Sequence, residues 1–349
     1  MTGRQPICSE MINRRRLIVL AAAATSAAPA APAPAQRLPD WLAWKQAFLR
    51  EAGRVVDTGQ RGISSSESQG YGMLLAASAG DAASFDAMWA WARTHLGVRD
   101  DALLAWRWEP GPGVTDRNNA ADGDLIVAWA LARAGERFGR AAYTDAARRI
   151  AQDIRARLLA ATPWGLVLMP ALSGFDQPDG RRVNLSYWAF PAFAALDRID
   201  PSPQWQAVTR CGLGLLQTAR FGRWGLPPDW LLLVDPLVPD PARARRYGYE
   251  AARIPLYLYW ARLGTAALIG PFLKFWGSFK GADFMPAWTN FGDDSIDSFG
   301  ADAGTRAIAR CVSTGKLPTE SDPSIAEQGY YSATLGLLAR LAAQEGGAA

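Results

Sequence analysis

Apolar residues recur at intervals of three and four along almost the whole chain, and this periodicity limits the fold more than any other feature. The interval matches one face of an α-helix, whereas a half-buried strand would alternate apolar and polar residues. Several connections are short, as between residues 137 and 141, and short connections join antiparallel helices. About a dozen helices paired in this way predict an all-α fold, a closed double ring. The predicted helices cover residues 39–54, 68–79, 82–96, 122–137, 141–160, 187–198, 203–219, 248–263, 265–278, 283–290, 301–313 and 323–344.

The first 35 residues differ in composition from the rest. Arg14, Arg15 and Arg16 precede LIVLAAAATSAAPAAPAPAQ, an apolar stretch that ends in small residues. A basic cluster before a short apolar core is typical of an export signal. The consecutive arginines favour the twin-arginine route, and the ordinary secretory route stays open. We therefore predict a signal peptide at residues 1–35, one domain at residues 36–349, a periplasmic or secreted protein, and no membrane insertion after the signal is removed.

The charged, histidine and cysteine residues exclude several classes of function. The net charge of +4 comes from scattered arginines rather than a basic stripe, which argues against nucleic-acid binding. His95 is the only histidine in the sequence, and its helical context favours packing over a Ser-His-Asp or Cys-His mechanism. Cys211 and Cys311 remain after signal removal, and they either pair or lie buried apart. Without CxxC or His-rich spacing, neither a metal site nor a cofactor is predicted.

Three acidic residues lie where predicted helices begin after irregular segments: Glu67 in SESQGYGM, Asp122 in NNAADGDLIVAWAL and Glu250 in YGYEAARIPLYLYW. Each has an ordinary structural explanation. The first two would favour a helix N-terminus, and the third would pair with Arg253 one turn later. Irregular segments on a ring of helices are typical of a binding mouth, where converging helix starts would bring the acids together. These segments are residues 98–121, 161–186 and 220–247, with a short strand expected within 161–170.

The tryptophan content favours a sugar ligand. The chain has 15 tryptophans, and several lie near polar residues of the irregular segments. A flat indole can pack against the apolar face of a pyranose, while Asp, Asn and Arg side chains bind its hydroxyls. Trp89 or Trp91, on a predicted helix rich in apolar residues, is expected in the core instead. The candidates near polar loop residues are Trp106, Trp108, Trp224 and Trp230.

Five segments together resemble the signature segments of glycoside hydrolase family 8, over about residues 38–345. In chain order they are SESQGYGMLLA, AADGDLIVAWAL, NLSYWAFPAF, PPDW and YGYEAARIPLYLYW. The chain is most similar to the family's periplasmic endoglucanases associated with bacterial cellulose synthesis. The resemblance implies an (α/α)6 barrel and an enzyme that cleaves β-1,4-glucans with inversion of the anomeric configuration. It implies a β-1,4-glucan as partner and leaves the cellulose synthase machinery open as another.

The resemblance also implies roles for single residues. Glu67 would be the general acid, and Asp122 would hold the sugar at the cleavage subsite. Tyr187 and Arg253 would flank the attacking water. Inversion requires a protonated acid and an ionised base about 6.5–9.5 Å apart, and burial beside Asp122 would raise the pKa of Glu67. The remaining residues expected to bind substrate are Trp106 and Trp230, and Asp124 as a neighbour of Asp122.

The chain departs from the family pattern at the expected base. The usual segment is Tyr-Asp-Ala-x-Arg, and this chain has Glu250 at the aspartate position. The extra methylene is not neutral by default, because a displacement of about 1 Å can lower a rate by about 10²-fold. Glu250 is then the base in a shifted position, a residue with another role, or the mark of a weakened enzyme. Otherwise the candidate bases are Asp229, Asp235 and Asp176.

Two further functions stay open. An enzyme of the same fold could cleave chitosan or xylan, although a cationic polymer would require several acids in the groove and the net charge here is positive. A protein that had lost turnover could still bind glucan and serve as an accessory factor of a synthase. Retained affinity for cello-oligosaccharides without release of reducing ends would identify the second case.

Overall fold

Eleven α-helices form the framework of the protein in the computed structural model, which describes residues 40–282, 284–316 and 324–346. All of these residues belong to one unit, Pro34–Ala349. The expected export signal at residues 1–35 lies outside the described residues. The helices are α1 Trp41–Phe48, α2 Ser66–Ala79, α3 Ala82–His95, α4 Ala121–Phe138, α5 Ala141–Arg157, α6 Phe190–Ile199, α7 Pro203–Thr218, α8 Ile254–Trp260, α9 Ala266–Gly277, α10 Ala303–Thr314 and α11 Tyr330–Gly346.

Six of the helices pack in a closed ring. α2 contacts α4, α4 contacts α6, α6 contacts α8, α8 contacts α10, α10 contacts α11, and α11 returns to α2. The other helices pack against members of this ring, for example α3 on α2, α5 on α4 and α7 on α6. Nearly all of α2 and α4 is buried, which matches their apolar sequences. The predicted all-α ring is confirmed.

One predicted helix, residues 283–290, is wrong. Residues 284–288 are irregular, and Thr289 pairs with Tyr247 in a two-stranded sheet. Pro286 has no N–H and disfavours a helix interior. The next two N–H groups, of Ala287 and Trp288, donate to the Asp297 carboxylate at 2.7 and 3.2 Å instead of to helix carbonyls. The apolar periodicity of this segment therefore reflects packing of a loop rather than a helix.

Most of the short strands lie in the irregular segments. The strands are β1 Ser64–Ser65, β2 Arg107–Trp108, β3 Leu159–Thr162, β4 Gly165–Leu168, β5 Asp176–Gln177, β6 Gly180–Val183, β7 Leu231–Leu233, β8 Val238–Pro239, β9 Arg246–Tyr247 and β10 Thr289–Asn290. The hairpin of β3 with β4 confirms the strand expected within residues 161–170. Four strands form a sheet in the order β5-β6-β7-β8, and two further pairs join β1 to β2 and β9 to β10.

Several residues singled out in the sequence have structural places in this fold. Trp91 is buried, and His95 ends α3 with its ring stacked on that indole at 4.6 Å. Cys211 and Cys311 are both buried and free, so they lie apart rather than paired. Among the described residues, no helix combines the length and apolar character needed to cross a membrane.

Candidate active site

The three acids singled out in the sequence meet in one cavity of about 180 Å³. Glu67 and Asp122 enter it from the first turns of α2 and α4, and Glu250 enters from the turn before α8. The expected Trp106, Tyr187 and Arg253 also line it. The full lining is Gln60, Ile63, Ser65, Ser66, Glu67, Trp106, Ala120, Asp122, Tyr187, Glu250 and Arg253.

The starts of α2 and α4 place Glu67 next to Asp122. Ser65 caps α2 in a reciprocal capping box with Ser68, which fixes the first turn that carries Glu67. Gly123 allows α4 to approach closely, because a Cβ at this position would lie 2.0 Å from the Ser66 Oγ and 2.8 Å from the Glu67 backbone nitrogen. Glycine between the two aspartates of the DGD segment is therefore a condition for this contact.

Arg253 lies between the acids and is itself buried, with 3% of its side chain exposed. One terminal nitrogen, Nη1, donates to Glu67 and lies 3.7 Å from the Asp122 Oδ2. The other, Nη2, donates to Glu250 Oε2 at 2.5 Å and to the Ser186 Oγ at 3.0 Å. One guanidinium thus holds carboxylates from two different sides of the cavity.

Burial and like charges change the protonation of the acids. The pKa of Glu67 is raised mainly by burial and further by the charge of Glu250, although Arg253 and a hydrogen bond with Asp122 oppose the shift. The pKa of Asp122 is raised well above its usual value by burial and by the charges of Glu67 and Glu250. Three carboxylates against one cation cannot all ionise easily, so the cluster retains a proton where free carboxylic acids would not.

Glu250 is held through one of its two oxygens. Its Oε2 accepts from Arg253 and from the Asn184 Nδ2 at 3.2 Å. The Ser186 Oγ lies 3.5 Å from this oxygen and donates its proton to the nearer Asn184 Oδ1 at 2.7 Å. Within the described part of the chain, no hydrogen bond to Oε1 is present. The side chain is 36% exposed, so this second oxygen can reach a water in the cavity.

Asn184 and Ser186 are site residues whose individual roles sequence reasoning missed, although both lie within the NLSY segment. Asn184 closes a short turn by accepting from the Ser186 N–H at 3.0 Å. The Asn-x-Ser spacing is typical of such a turn and could have indicated it. The turn leaves the Asn184 amide and the Ser186 hydroxyl facing Glu250.

Two of the predicted substrate-binding residues, Asp124 and Trp230, are not among the residues that line this cavity. Asp124 is fully buried and accepts from the Leu104 N–H at 2.8 Å and the Asn119 Nδ2 at 2.8 Å, and burial raises its pKa to about 7. It holds the preceding segment against α4, as a structural partner beside Asp122 would. The Trp230 ring has an edge contact with Tyr187 at 5.8 Å, and the Arg243 guanidinium lies 3.9 Å from its centre. The arginine therefore occupies a position from which a sugar would stack.

The alternative bases also lie outside the cavity lining. Asp176 is exposed and pairs with Arg181 at 3.1 Å. Asp235 is exposed as well. Asp229 is buried, and both of its oxygens accept hydrogen bonds from the protein. Glu250 is the acid that faces Glu67 across Arg253.

Comparisons with known proteins agree with the geometry of the site. The family described as "Glycosyl hydrolases family 8" matches residues 9–345. A protein of Novacetimonas hansenii named "Probable endoglucanase" is 42% identical over 337 residues, 94% of this chain and 96% of its own length. The solved structure of the endo-β-1,4-glucanase CMCax from Acetobacter xylinum matches with a TM-score of 0.83 at 40% identity, covering 89% of this chain and 98% of that one.

A second solved structure, the family 8 endoglucanase Cel10 from Klebsiella pneumoniae, matches with a TM-score of 0.82 at 31% identity, covering 88% of this chain and 99% of that one. The family match includes every segment that contributes an acid to the cavity. The ring of helices, the cavity of carboxylates and these similarities lead to one conclusion: the chain belongs to glycosyl hydrolase family 8.

Proposed function

We propose that the protein is an inverting endo-β-1,4-glucanase that hydrolyses cellulose-type glucans. One observation carries the proposal: Glu67 and Glu250 bind the two ends of the Arg253 guanidinium within a single cavity. Two carboxylates on either side of a cleaved bond are the requirement for glycoside hydrolysis. The name of the Acetobacter xylinum enzyme, an endo-β-1,4-glucanase, supports β-1,4-glucan as the substrate class, and the name of the Novacetimonas hansenii relative supports endo-cleavage of a glucan.

Glu67 acts as the general acid in this proposal. The acid must hold a proton until the glycosidic oxygen takes it, and the raised pKa of Glu67 supports this protonation state. As the bond between the sugar carbon and that oxygen breaks, the proton of Glu67 moves to the leaving sugar. Asp122, one hydrogen bond away, holds the sugar whose ring carbon is attacked.

Glu250 acts as the base. Its Oε1 takes one proton from a water while the water oxygen attacks the anomeric carbon from the face opposite the leaving group. Arg253 and Asn184 hold the other oxygen, so the carboxylate has one orientation. The extra methylene of Glu250 is accommodated by these contacts, which give the longer side chain a fixed end point.

The decisive experiment compares wild type with Glu67→Gln and Glu250→Gln on carboxymethyl-cellulose, chitosan and xylan. We expect wild type to release reducing ends from carboxymethyl-cellulose, and each variant to lose about 10²- to 10⁴-fold in rate. Proton NMR of fresh cello-oligosaccharide products should show the α-anomer first. Cleavage of chitosan or xylan in preference to carboxymethyl-cellulose would overturn the substrate class. Glucan binding without any turnover by wild type would show that the protein has lost catalysis.

We also propose that the protein is exported and acts on glucan as it leaves a cellulose synthase. The support is the arginine cluster and apolar stretch of residues 1–35 and the resemblance of the motifs to synthesis-associated endoglucanases. Mass spectrometry of the protein from its native cells should find it outside the cytosol without the first 35 or so residues. An intact N-terminus in the cytosolic fraction would contradict export, and unchanged cellulose in a strain lacking the protein would contradict the link to synthesis.

A further inference from the structure

Asp229 is a buried acid, 4% exposed, that the proposed mechanism does not use. It lies two residues before β7, and its carboxylate points at the loop that carries Glu250. Its Oδ1 accepts from the Gly248 N–H at 2.9 Å and from the Ala251 N–H at 2.9 Å. These two N–H groups lie on either side of Glu250 in the chain. Asp229 therefore holds the backbone both before and after the proposed base.

We call residues 246–251 the base loop, and Asp229 contacts this loop at several points. The Asp229 N–H donates to the Arg246 carbonyl at 2.9 Å, and the Arg246 Nε donates to the Asp229 Oδ2 at 3.3 Å. A Cβ on Gly248 would lie 2.9 Å from the same Oδ2, so glycine allows the approach. On the other side of the loop, the Tyr331 hydroxyl donates to the Tyr249 carbonyl at 2.7 Å. The loop is irregular, yet most of its backbone has a fixed partner.

We propose that Asp229 is a positioning residue, which sets where Glu250 stands over the cavity, and this inference rests on the proposed role of Glu250 as base. A base displaced by about 1 Å can lose about 10²-fold in rate. Glu250 has one more methylene than the aspartate usual in the family. The backbone of Glu250 must therefore lie farther from the attacking water, so that the longer side chain places its carboxylate correctly. The two bonds from Asp229 set that backbone position.

A double-mutant cycle with Glu250 tests the assignment. Asp229→Ala removes the acceptor for both N–H groups, and we expect kcat on carboxymethyl-cellulose to fall about 10- to 100-fold with KM within about threefold of wild type. Glu250→Gln removes the base that Asp229 positions. In that background, Asp229→Ala should lower kcat by less than about threefold, because little remains to be positioned. The proposal would be overturned if the two losses of kcat multiplied in the double variant, or if Asp229→Ala alone had the kcat of wild type.

Two further variants separate positioning from general stability. Asp229→Asn keeps an acceptor oxygen for the Gly248 and Ala251 N–H groups and loses the charge, so it should recover most of the kcat lost in Asp229→Ala. An equal loss in both would overturn the role of these hydrogen bonds. Asp81→Ala is the matched control, since Asp81 also accepts from a backbone N–H and binds a cation, Lys45, but caps α3, which contributes no residue to the cavity lining. It should lower the melting temperature without lowering kcat.

The outcomes distinguish this inference from the proposed function. If Glu250→Gln keeps wild-type activity, the base assignment fails and the positioning role fails with it. Suppose instead that Glu250→Gln keeps only a trace of activity. If Asp229→Ala then lowers this remaining kcat by the same factor as it lowers the kcat of wild type, only the positioning role fails. If Asp229→Ala does not fold, Asp229→Asn and Gly248→Ala carry the test, because the latter displaces the loop from Asp229 without removing the carboxylate.

Discussion

The acid side and the base side of the cavity are built in different ways. Glu67 and Asp122 stand in the first turns of two long, buried helices, α2 and α4, which pack directly on each other. Glu250 stands on an irregular loop whose position depends on side chains from elsewhere in the chain, Asp229 and Tyr331. Arg253 joins the two sides.

Because of this difference, we expect the acid side of the cavity to tolerate more substitutions than the base side. The positions of α2 and α4 depend on many packing contacts. Single side-chain changes near these helices should therefore alter activity only where the two backbones touch. The base loop depends on a few hydrogen bonds, and each of them should matter individually.

Glu67→Gln should have the largest effect, because it removes the proton donor while keeping the shape of the side chain. We expect a loss of about 10²- to 10⁴-fold on carboxymethyl-cellulose with folding close to wild type. A cello-oligosaccharyl fluoride has a leaving group that needs no proton, so the loss on this substrate should be much smaller. Rates on both substrates and a melting curve check the prediction. An equal loss on both would mean that Glu67 is not the general acid.

Gly123→Ala should displace Glu67 and Asp122 although it replaces neither of them. The added Cβ would meet the Ser66 Oγ at 2.0 Å and the backbone of Glu67, so α2 and α4 must move apart. We expect about 1–3 kcal/mol of lost stability and about 10²-fold lower kcat from the displaced acids. Urea unfolding and steady-state kinetics measure the two effects.

Gly214→Ala is the matched control for Gly123→Ala. Gly214 is also inside a helix, α7, but a Cβ there meets nothing within 4 Å. Alanine should stabilise this helix by about 0.5–1 kcal/mol and leave kcat unchanged. Equal kinetics in both variants would show that the close approach of α2 and α4 does not place the acids.

Glu250→Asp restores the residue usual in the family and tests whether this loop is built for glutamate. The shorter side chain withdraws the carboxylate by about 1.5 Å, away from Arg253 and Asn184, while Asp229 and Tyr331 keep the loop in place. We expect about 10- to 100-fold lower kcat with KM little changed. Kinetics of Glu250→Asp beside Glu250→Gln check this. Activity at or above wild type would mean that the contacts of the carboxylate, rather than the backbone, decide where the base stands.

The sequence was informative about the fold and the acids and much less so about the groups that support them. Helical periodicity predicted α2 and α4 to within two residues at each end, because these helices are long and each ends at a glycine in the left-handed conformation, Gly80 or Gly139. It failed at residues 283–290, where Pro286 disfavours a helix and Asp297, about ten residues later, binds the backbone N–H groups of an irregular segment. Likewise the contacts of Asp229 with Gly248 and Ala251 join residues about 20 apart across irregular backbone, and no periodicity indicates them.

Substitution of Asp124 should have the smallest effect on activity, and this sets it apart from substitution of Asp229. Both are buried aspartates that bind loop N–H groups, but Asp124 supports α4, whose position is also set by packing on α2. We therefore expect Asp124→Asn to lower kcat by less than about threefold. Its effect should appear instead in the pH dependence of stability. Burial raises the pKa of Asp124 to about 7, so the folded state binds this proton more tightly than the unfolded state does.

Between about pH 4 and 7 the unfolded chain has therefore released a proton that folded Asp124 retains, and this carboxyl lowers stability progressively as the pH rises. The penalty is complete above about pH 7 and absent below about pH 4. Asparagine carries no titrating proton, so the stability of Asp124→Asn relative to wild type should rise from pH 4 to pH 7. Urea unfolding of both proteins at pH 4.5, 6 and 7.5 measures the difference. A difference that stays constant across this range would show that Asp124 is already ionised in the folded protein, and that its bonds to Leu104 and Asn119 are those of a carboxylate.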